Sequence, residues 1–412
     1  MKTNLEEILE KGQRLLFLLF PAALILNPRL AVNVFTIFLL LISLGNIYLN
    51  KKIIITFYEK FLLIFLGALI LSLIFKETDS KLGEILLKRH LRWLFYPTLI
   101  GQLNIKKEDI KNIIISISIG IFGYMFRMLK EILSLKSSEI SFFKFFKSSL
   151  VWNHRYLAEY NIPQSALILG VTLIILYYVI NIINEKKYKK WLIIVMIIDT
   201  IPFLGLQSRG MTLVLIILIF LLALTRKEKI FKLFAGILVI STLFLGINFS
   251  NSRYIKRYEN ITKDGSFYAR REVHREAIRI FRDHKLIGVG FHNFSAVQNK
   301  NNYKILPEYE DPHNQALKLL CETGVLGFIS YYLFMGSILI FLWKKIKEDK
   351  YNFIGVLTLL SLLMYENIEC MFKSVYSLPY VFFILSIFLN KHYQNRKEKD
   401  EIIYNNNNIW QI

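Results

Sequence analysis

Apolar runs of about 15 to 23 residues recur along nearly the whole chain, divided by short charged segments. A run of that length crosses the hydrocarbon of a bilayer as a helix, and helices joined by short loops pack into one bundle. The expected fold is therefore all-α, a polytopic membrane helical bundle of about 12 transmembrane helices. Composition agrees: 54% of residues are hydrophobic and the mean hydropathy is +0.41, beyond the range of an ordinary soluble domain.

The runs place spans at 14–27, 31–48, 54–75, 89–103, 110–128, 164–184, 191–207, 211–225, 230–248, 315–343, 353–370 and 374–390. The fourth carries Lys88, Arg89, His90 and Arg92 at its start and is expected to be short or partly interfacial. The first is short and contains Pro21. Orientation follows from Lys and Arg in the loops. Lys51-Lys52, the Lys106-Lys107-Lys111 group, the 185–190 segment, the 226–229 segment, Lys344 to Lys350 and the tail from Lys391 all follow even-numbered spans. Those loops are expected to be cytoplasmic, together with both termini.

The division expected is nine spans in 1–248, an outward loop of mostly helical character in 249–314, three spans in 315–390, and a disordered tail in 391–412. Met1 to Arg14 mixes acids and bases without a small-residue cleavage site, so no removable signal peptide is expected. The formal charge of +21 sits mainly in short loops, where topology explains it and nucleic-acid binding does not. Cys321 and Cys370 have no CxxC spacing, which gives neither a zinc site nor a redox motif. They lie near one membrane face, where a disulfide and two buried thiols both fit, the thiols better.

The odd-numbered loops face outward, so the turn Ser208-Arg209-Gly210 and the 249–314 loop share a face. In Asp311-Pro312-His313-Asn314-Gln315, Asp is a favoured helix N-cap and Pro a favoured first residue, which puts His313 in the first helical turn. The positive end of a helix disfavours an imidazolium and attracts anions, suiting His313 to general-base work beside a phosphate. Its alternative is an interfacial histidine with no role. Between Arg270 and His284, Arg271, Arg275, Arg279 and Arg282 form one helical stripe, suited to the headgroup surface. Arg270 leans instead with the apolar face of Val273, Ala277, Ile280 and Phe281, where a guanidinium must meet an anion or carboxylate, or the helix must begin after it.

Arg209 offers bidentate donors suited to phosphate, although a lone Arg in a tight hairpin also marks a membrane interface. Arg253 and Arg257 begin the large loop and add to a cationic rim. Glu322 lies on the face opposite His313, with Lys318 its natural i, i+4 partner. Asp199, Glu366 and Glu369 are intramembrane acids and so candidates by default. Gly288-Val289-Gly290 follows a helix rather than a strand, which excludes a dinucleotide turn. No paired acidic motif suggests a metal, and no cofactor is expected.

Three blocks resemble the O-antigen ligase and polymerase superfamily of bacterial envelope glycosyltransferases. They are Gln207-Ser208-Arg209-Gly210; Arg270, Glu272 and Ala277 followed by Leu286 through Gly290 and Asn293-Phe294; and His313-Asn314, Leu317 through Leu320, Glu322, Gly324 and Val325-Leu326-Gly327. His274 and Lys285 stand where such families often carry Trp and Pro. The resemblance implies a GT-C type scaffold and metal-independent, inverting glycosyl transfer at the periplasmic face of the bacterial inner membrane. The implied donor is a glycan on undecaprenyl diphosphate. The implied acceptor is lipid A-core in a ligase, favoured here, or the growing glycan in a polymerase.

Mapped onto this chain, the resemblance makes His313 the base that activates the acceptor hydroxyl. Arg209 and Arg270 hold the diphosphate, and Asn314, Glu322, Arg253 and Arg257 contact substrate. A transporter of lipid-linked glycan is the more distant alternative. It predicts ionisable residues around a midplane cavity rather than at one face.

Overall fold

Every regular element among the described residues is a helix, as a chain of bilayer-length apolar runs requires. The computed structural model describes residues 2–134, 162–206, 208–225, 265–300, 311–347, 350–373 and 377–390. In order these hold α1 (Lys2–Leu26), α2 (Pro28–Asn50), α3 (Phe57–Ile74), α4 (Leu82–Leu94), α5 (Tyr96–Gly101) and α6 (Lys107–Ser134). Then come α7 (Ile162–Ile182), α8 (Lys186–Leu206), α9 (Arg209–Thr225), α10 (Gly265–Asp283) and α11 (Phe294–Lys300). The last are α12 (Gln315–Lys345), α13 (Asn352–Glu366) and α14 (Ser377–Phe388).

Among the described residues, five helices are long and apolar enough to cross a membrane: α2, α3, most of α6, α7 and α12. Three shorter apolar helices are α13, α14 and the 209–222 part of α9. The outer surface carries the matching signature. On α2, Leu30, Val34, Ile37, Leu41 and Leu44 form an exposed stripe at helical spacing, while Ala31, Leu39 and Ile42 are buried behind it. An apolar stripe left open to the surroundings suits lipid, not water. Helix α7 is apolar on every face, and it is buried on every face from Gln164 to Ile180 except at Leu173. It packs against α8, α9, α13 and α14, and α12 packs along α3.

One expectation is revised and another falls outside the described residues. The fourth span is two helices, α4 and α5, meeting at Phe95. On α4, Gly83, Leu87, His90, Trp93 and Leu94 are buried on one face, while Lys88, Arg89 and Arg92 are exposed on the other. An amphipathic helix with three cations on one face does not cross lipid, and Pro97 bars the ladder from continuing. Expected span 230–248 lies outside the described residues, so the described helices do not carry the count of twelve.

Helix α12 holds a break that the apolar pattern hides. Gly324 sits at φ 64°, ψ −168° in its middle, a conformation open to glycine alone. In an unbroken helix Val325 and Leu326 donate to Cys321 and Glu322. Here Val325 N donates to Lys285 O (2.8 Å) and Leu326 N to Leu286 O (3.3 Å). Cys321 O accepts from Val289 N (3.0 Å) and Glu322 O from Gly290 N (2.8 Å). The segment that follows α10 is thus inserted into two opened rungs of α12. The contact is backbone on backbone: a Cβ on Gly288 would lie 2.3 Å from the Glu322 carbonyl carbon, and one on Gly324 2.3 Å from that of Leu286.

This clasp ties α10 to α12. A small separate core of Val273, Ala277, Ile280, Val289, Phe294, Val297 and Cys321 fills the space between them. Cys321 and Cys370 are both free and buried.

Candidate functional site

His313 ends the short segment that leads into α12. Two residues compete to cap that helix, Asp311 and Asn314, and Asn314 wins. Its side-chain oxygen accepts from Leu317 N at 3.0 Å, and the helix begins at Gln315. Asp311 instead accepts the His313 N–H at 3.0 Å, closing a turn two residues long. His313 therefore stands just before the helix, not in its first turn as the Asp-Pro pattern suggested. It adopts φ 49°, a left-handed conformation rare for a residue with a Cβ and held here by the Asp311 turn.

The His313 side chain meets a carboxylate that arrives from the far end of α13. Nδ1 of His313 is 2.9 Å from Oε2 of Glu369. The other oxygen of the same carboxylate, Oε1, accepts from Nη2 of Arg270 at 2.5 Å. Glu369 is nearly buried, at 12% side-chain exposure, and it bridges the two residues. Arg270 lies early in α10 and does turn inward, onto a carboxylate as burial demands. The exposed face of the same helix carries Arg271, Arg275, Arg279 and Arg282. In the tautomer that donates Nδ1–H to Glu369, the proton-accepting lone pair of His313 sits on Nε2.

His274, one turn beyond Arg270, backs the Asp311–His313 turn. Burial holds its pKa below the ordinary histidine value; a bond to the Pro312 carbonyl opposes this, and the Arg270 and His313 charges add to it.

Arg209 is the first residue of α9, and its turn is pinned to the same end of α13. Ser208 Oγ lies 3.3 Å from the Tyr365 hydroxyl. A Cβ on Gly210 would be 2.8 Å from Ile368 and 3.2 Å from the Tyr365 ring, so only glycine lets the hairpin sit this close. Glu369 N donates to Tyr365 O at 3.0 Å, so the residue that seats the Arg209 turn also anchors the bridging carboxylate. Asn314 adds a further tie, donating to Asn367 O at 2.9 Å.

The remaining candidates lie apart. Glu322 is buried 3.3 Å from Lys318 and accepts from His292 N (2.9 Å) and Phe294 N (3.4 Å). Its carboxylate braces the loop of the clasp. Glu366 binds the Tyr331 hydroxyl at 2.7 and 2.8 Å, inside the bundle. Asp199 is fully buried in α8, with no hydrogen-bond partner for either oxygen among the described residues. Arg253 and Arg257 lie outside the described residues. The residue the sequence undervalued is Glu369; its one signal was an acid near the outer end of an apolar run.

A base held by a carboxylate, with a guanidinium on the same carboxylate and a second arginine on the adjoining turn, suits transfer to a hydroxyl from an anionic leaving group. Residues 194–332 match the family model described as O-Antigen ligase. The matched segment runs from α8 into α12 and contains Arg209, Arg270 and His313; Glu369 lies beyond it. No curated protein matches the chain.

Proposed function

From a chain whose residues 194–332 carry the domain of the O-antigen ligase and polymerase superfamily, we propose a ligase that moves a glycan from undecaprenyl diphosphate to a sugar hydroxyl of lipid A-core. The observation that carries this reading is the Glu369 carboxylate, bridging Arg270 and His313 beside the Arg209 turn.

In the proposed step, Nε2 of His313 takes the proton of the acceptor hydroxyl as its oxygen attacks the anomeric carbon. The bond from that carbon to the diphosphate oxygen breaks on the opposite side, and configuration inverts. The electron pair leaves with undecaprenyl diphosphate, whose growing charge Arg209 and Arg270 receive. Diphosphate is already a good leaving group, so no acid is needed to protonate it. Glu369 keeps the His313 ring oriented and stabilises its protonated form. Two fixed guanidiniums supply the positive charge that a divalent ion would otherwise bring. Asn314, Arg253 and Arg257 are assigned to substrate contact around this centre, and Glu322, first expected to contact substrate, to bracing the clasp. The site faces the periplasm, the chain is a multi-pass inner-membrane protein, and both termini are cytoplasmic.

The test is genetic and then chemical. His313→Ala and Arg209→Ala each abolish glycan attachment while insertion into the membrane stays intact. Full attachment in His313→Ala removes the base assignment. Deleting the protein separates the two superfamily activities. Loss of all long chains on lipid A-core, with lipid-linked polymer accumulating, identifies a ligase; a core carrying one repeat identifies a polymerase.

A further inference from the structure

Glu369 does two things at once, and the two conflict once substrate arrives. Its Oε1 occupies the Arg270 guanidinium at 2.5 Å while its Oε2 holds His313 Nδ1 at 2.9 Å. A guanidinium presents a planar fork that fits one carboxylate or phosphate edge well. An incoming diphosphate therefore meets a guanidinium already bound through Nη2 to a carboxylate that repels it.

We propose that Glu369 is a placeholder for the donor's diphosphate on Arg270, displaced when the donor binds, and that this displacement delivers the carboxylate wholly to His313. The inference rests on reading the cluster as a diphosphate site. Three observations on the chain support it. Arg270 projects from the apolar side of α10, where an unpaired guanidinium is unfavourable and an anion beside it is needed. Arg270 keeps 35% side-chain exposure against 12% for Glu369, so the arginine is open to a ligand while the carboxylate lies behind it. The two oxygens of Glu369 serve different partners, so releasing one leaves the other in place.

The arrangement gives the site two properties. A donor must carry enough charge to take Arg270 from Glu369, which favours a diphosphate over a monophosphate. His313 gains the undivided carboxylate only with donor in place, so an acceptor hydroxyl is not activated over an empty site. Glu369 acts through Arg270 and His313, and is a positioning residue.

The test separates binding from turnover in the full-length protein in detergent, with farnesyl diphosphate and farnesyl monophosphate as soluble probes. Glu369→Gln keeps the shape and removes the competing charge. It is expected to bind farnesyl diphosphate about tenfold more tightly than the wild type, the scale of one partly exposed charged contact. Its turnover with the natural donor falls, because His313 loses its ionised partner. The gain in affinity disappears in the Glu369→Gln/Arg270→Ala double variant, which binds like Arg270→Ala alone. If Glu369→Gln is not recovered folded, Glu369→Ala makes the same comparison.

Diphosphate affinity that is unchanged or weaker without the Glu369 charge, or a gain that survives loss of Arg270, overturns the placeholder role and leaves the base assignment standing. A wild-type protein that binds neither probe above background overturns the diphosphate reading itself.

Discussion

Replacing Gly324 by alanine tests the structural device on which the site depends. At φ 64°, ψ −168° an alanine is strained by about 1–3 kcal/mol. Its Cβ would also lie 2.3 Å from both the carbonyl carbon and oxygen of Leu286, backbone atoms that cannot swing aside. The alternative is for α12 to close its ladder, returning Val325 N and Leu326 N to Cys321 O and Glu322 O. That expels the 285–290 segment. Val289 N and Gly290 N then lose their acceptors, at about 1–3 kcal/mol for each buried donor.

Either route weakens the clasp by about 3 kcal/mol, which raises its open population about a hundredfold. The chain provides its own probe, since its two cysteines are both free and buried and Cys321 sits in the clasp. In a Cys370→Ser background, a thiol-reactive dye reports exposure of Cys321 alone as temperature rises. Gly324→Ala is expected to label about a hundredfold faster below the wild-type transition. Labelling at the wild-type rate with an unchanged Tm would refute the inserted-segment account.

Other outcomes follow from the same geometry. Glu322→Ala leaves Lys318 as an unpaired buried ammonium and strips acceptors from His292 N and Phe294 N, so it destabilises by about 3–5 kcal/mol. Thermal unfolding in detergent checks this, with Lys318→Met/Glu322→Leu expected to recover part of the loss. Gly210→Val cannot sit against Ile368 and Tyr365, so it displaces the Arg209 turn. It is expected to lower transfer about a hundredfold with normal expression, measured as product per folded protein.

His274 has a folded pKa below its unfolded value, so the unfolded chain binds the extra proton. Its contribution to stability is present above the unfolded pKa of about 6.5 and is lost as pH falls through the folded value. His274→Gln therefore flattens the decline of Tm below about pH 6.5. Purified enzyme treated with a chelator keeps its transfer rate, because the arginines carry the charge.

How much the sequence revealed depends on whether an interaction is local. The apolar periodicity marks the helices, and loop charge groups Arg209 with His313, which the structure holds at the same end of α13. The lean of Arg270 is also a local property, since helical spacing sets it against Val273 and Ala277. Lys318 and Glu322 meet as the i, i+4 rule expects. Glu369 was a candidate only as an intramembrane acid, without a role, because its partners lie 56 and 99 residues away in sequence and no periodicity joins them. The cap of α12 was misassigned because Asp311 and Asn314 both qualify, and only the seating of His313 decides between them. The break at Gly324 is equally nonlocal. Its sequence reads as a continuous apolar helix, and the glycines that answer it, Gly288 and Gly290, belong to a different segment.

A base role for His313 is open to chemical rescue. The measurement is the rate of glycan transfer by purified protein in liposomes, with lipid-linked donor bound and acceptor added, for the wild type and His313→Ala in the presence and absence of free imidazole. His313→Ala is expected to bind donor still, to lose at least about a hundredfold in rate, and to regain part of it with imidazole. Transfer by His313→Ala at the wild-type rate would contradict the base role.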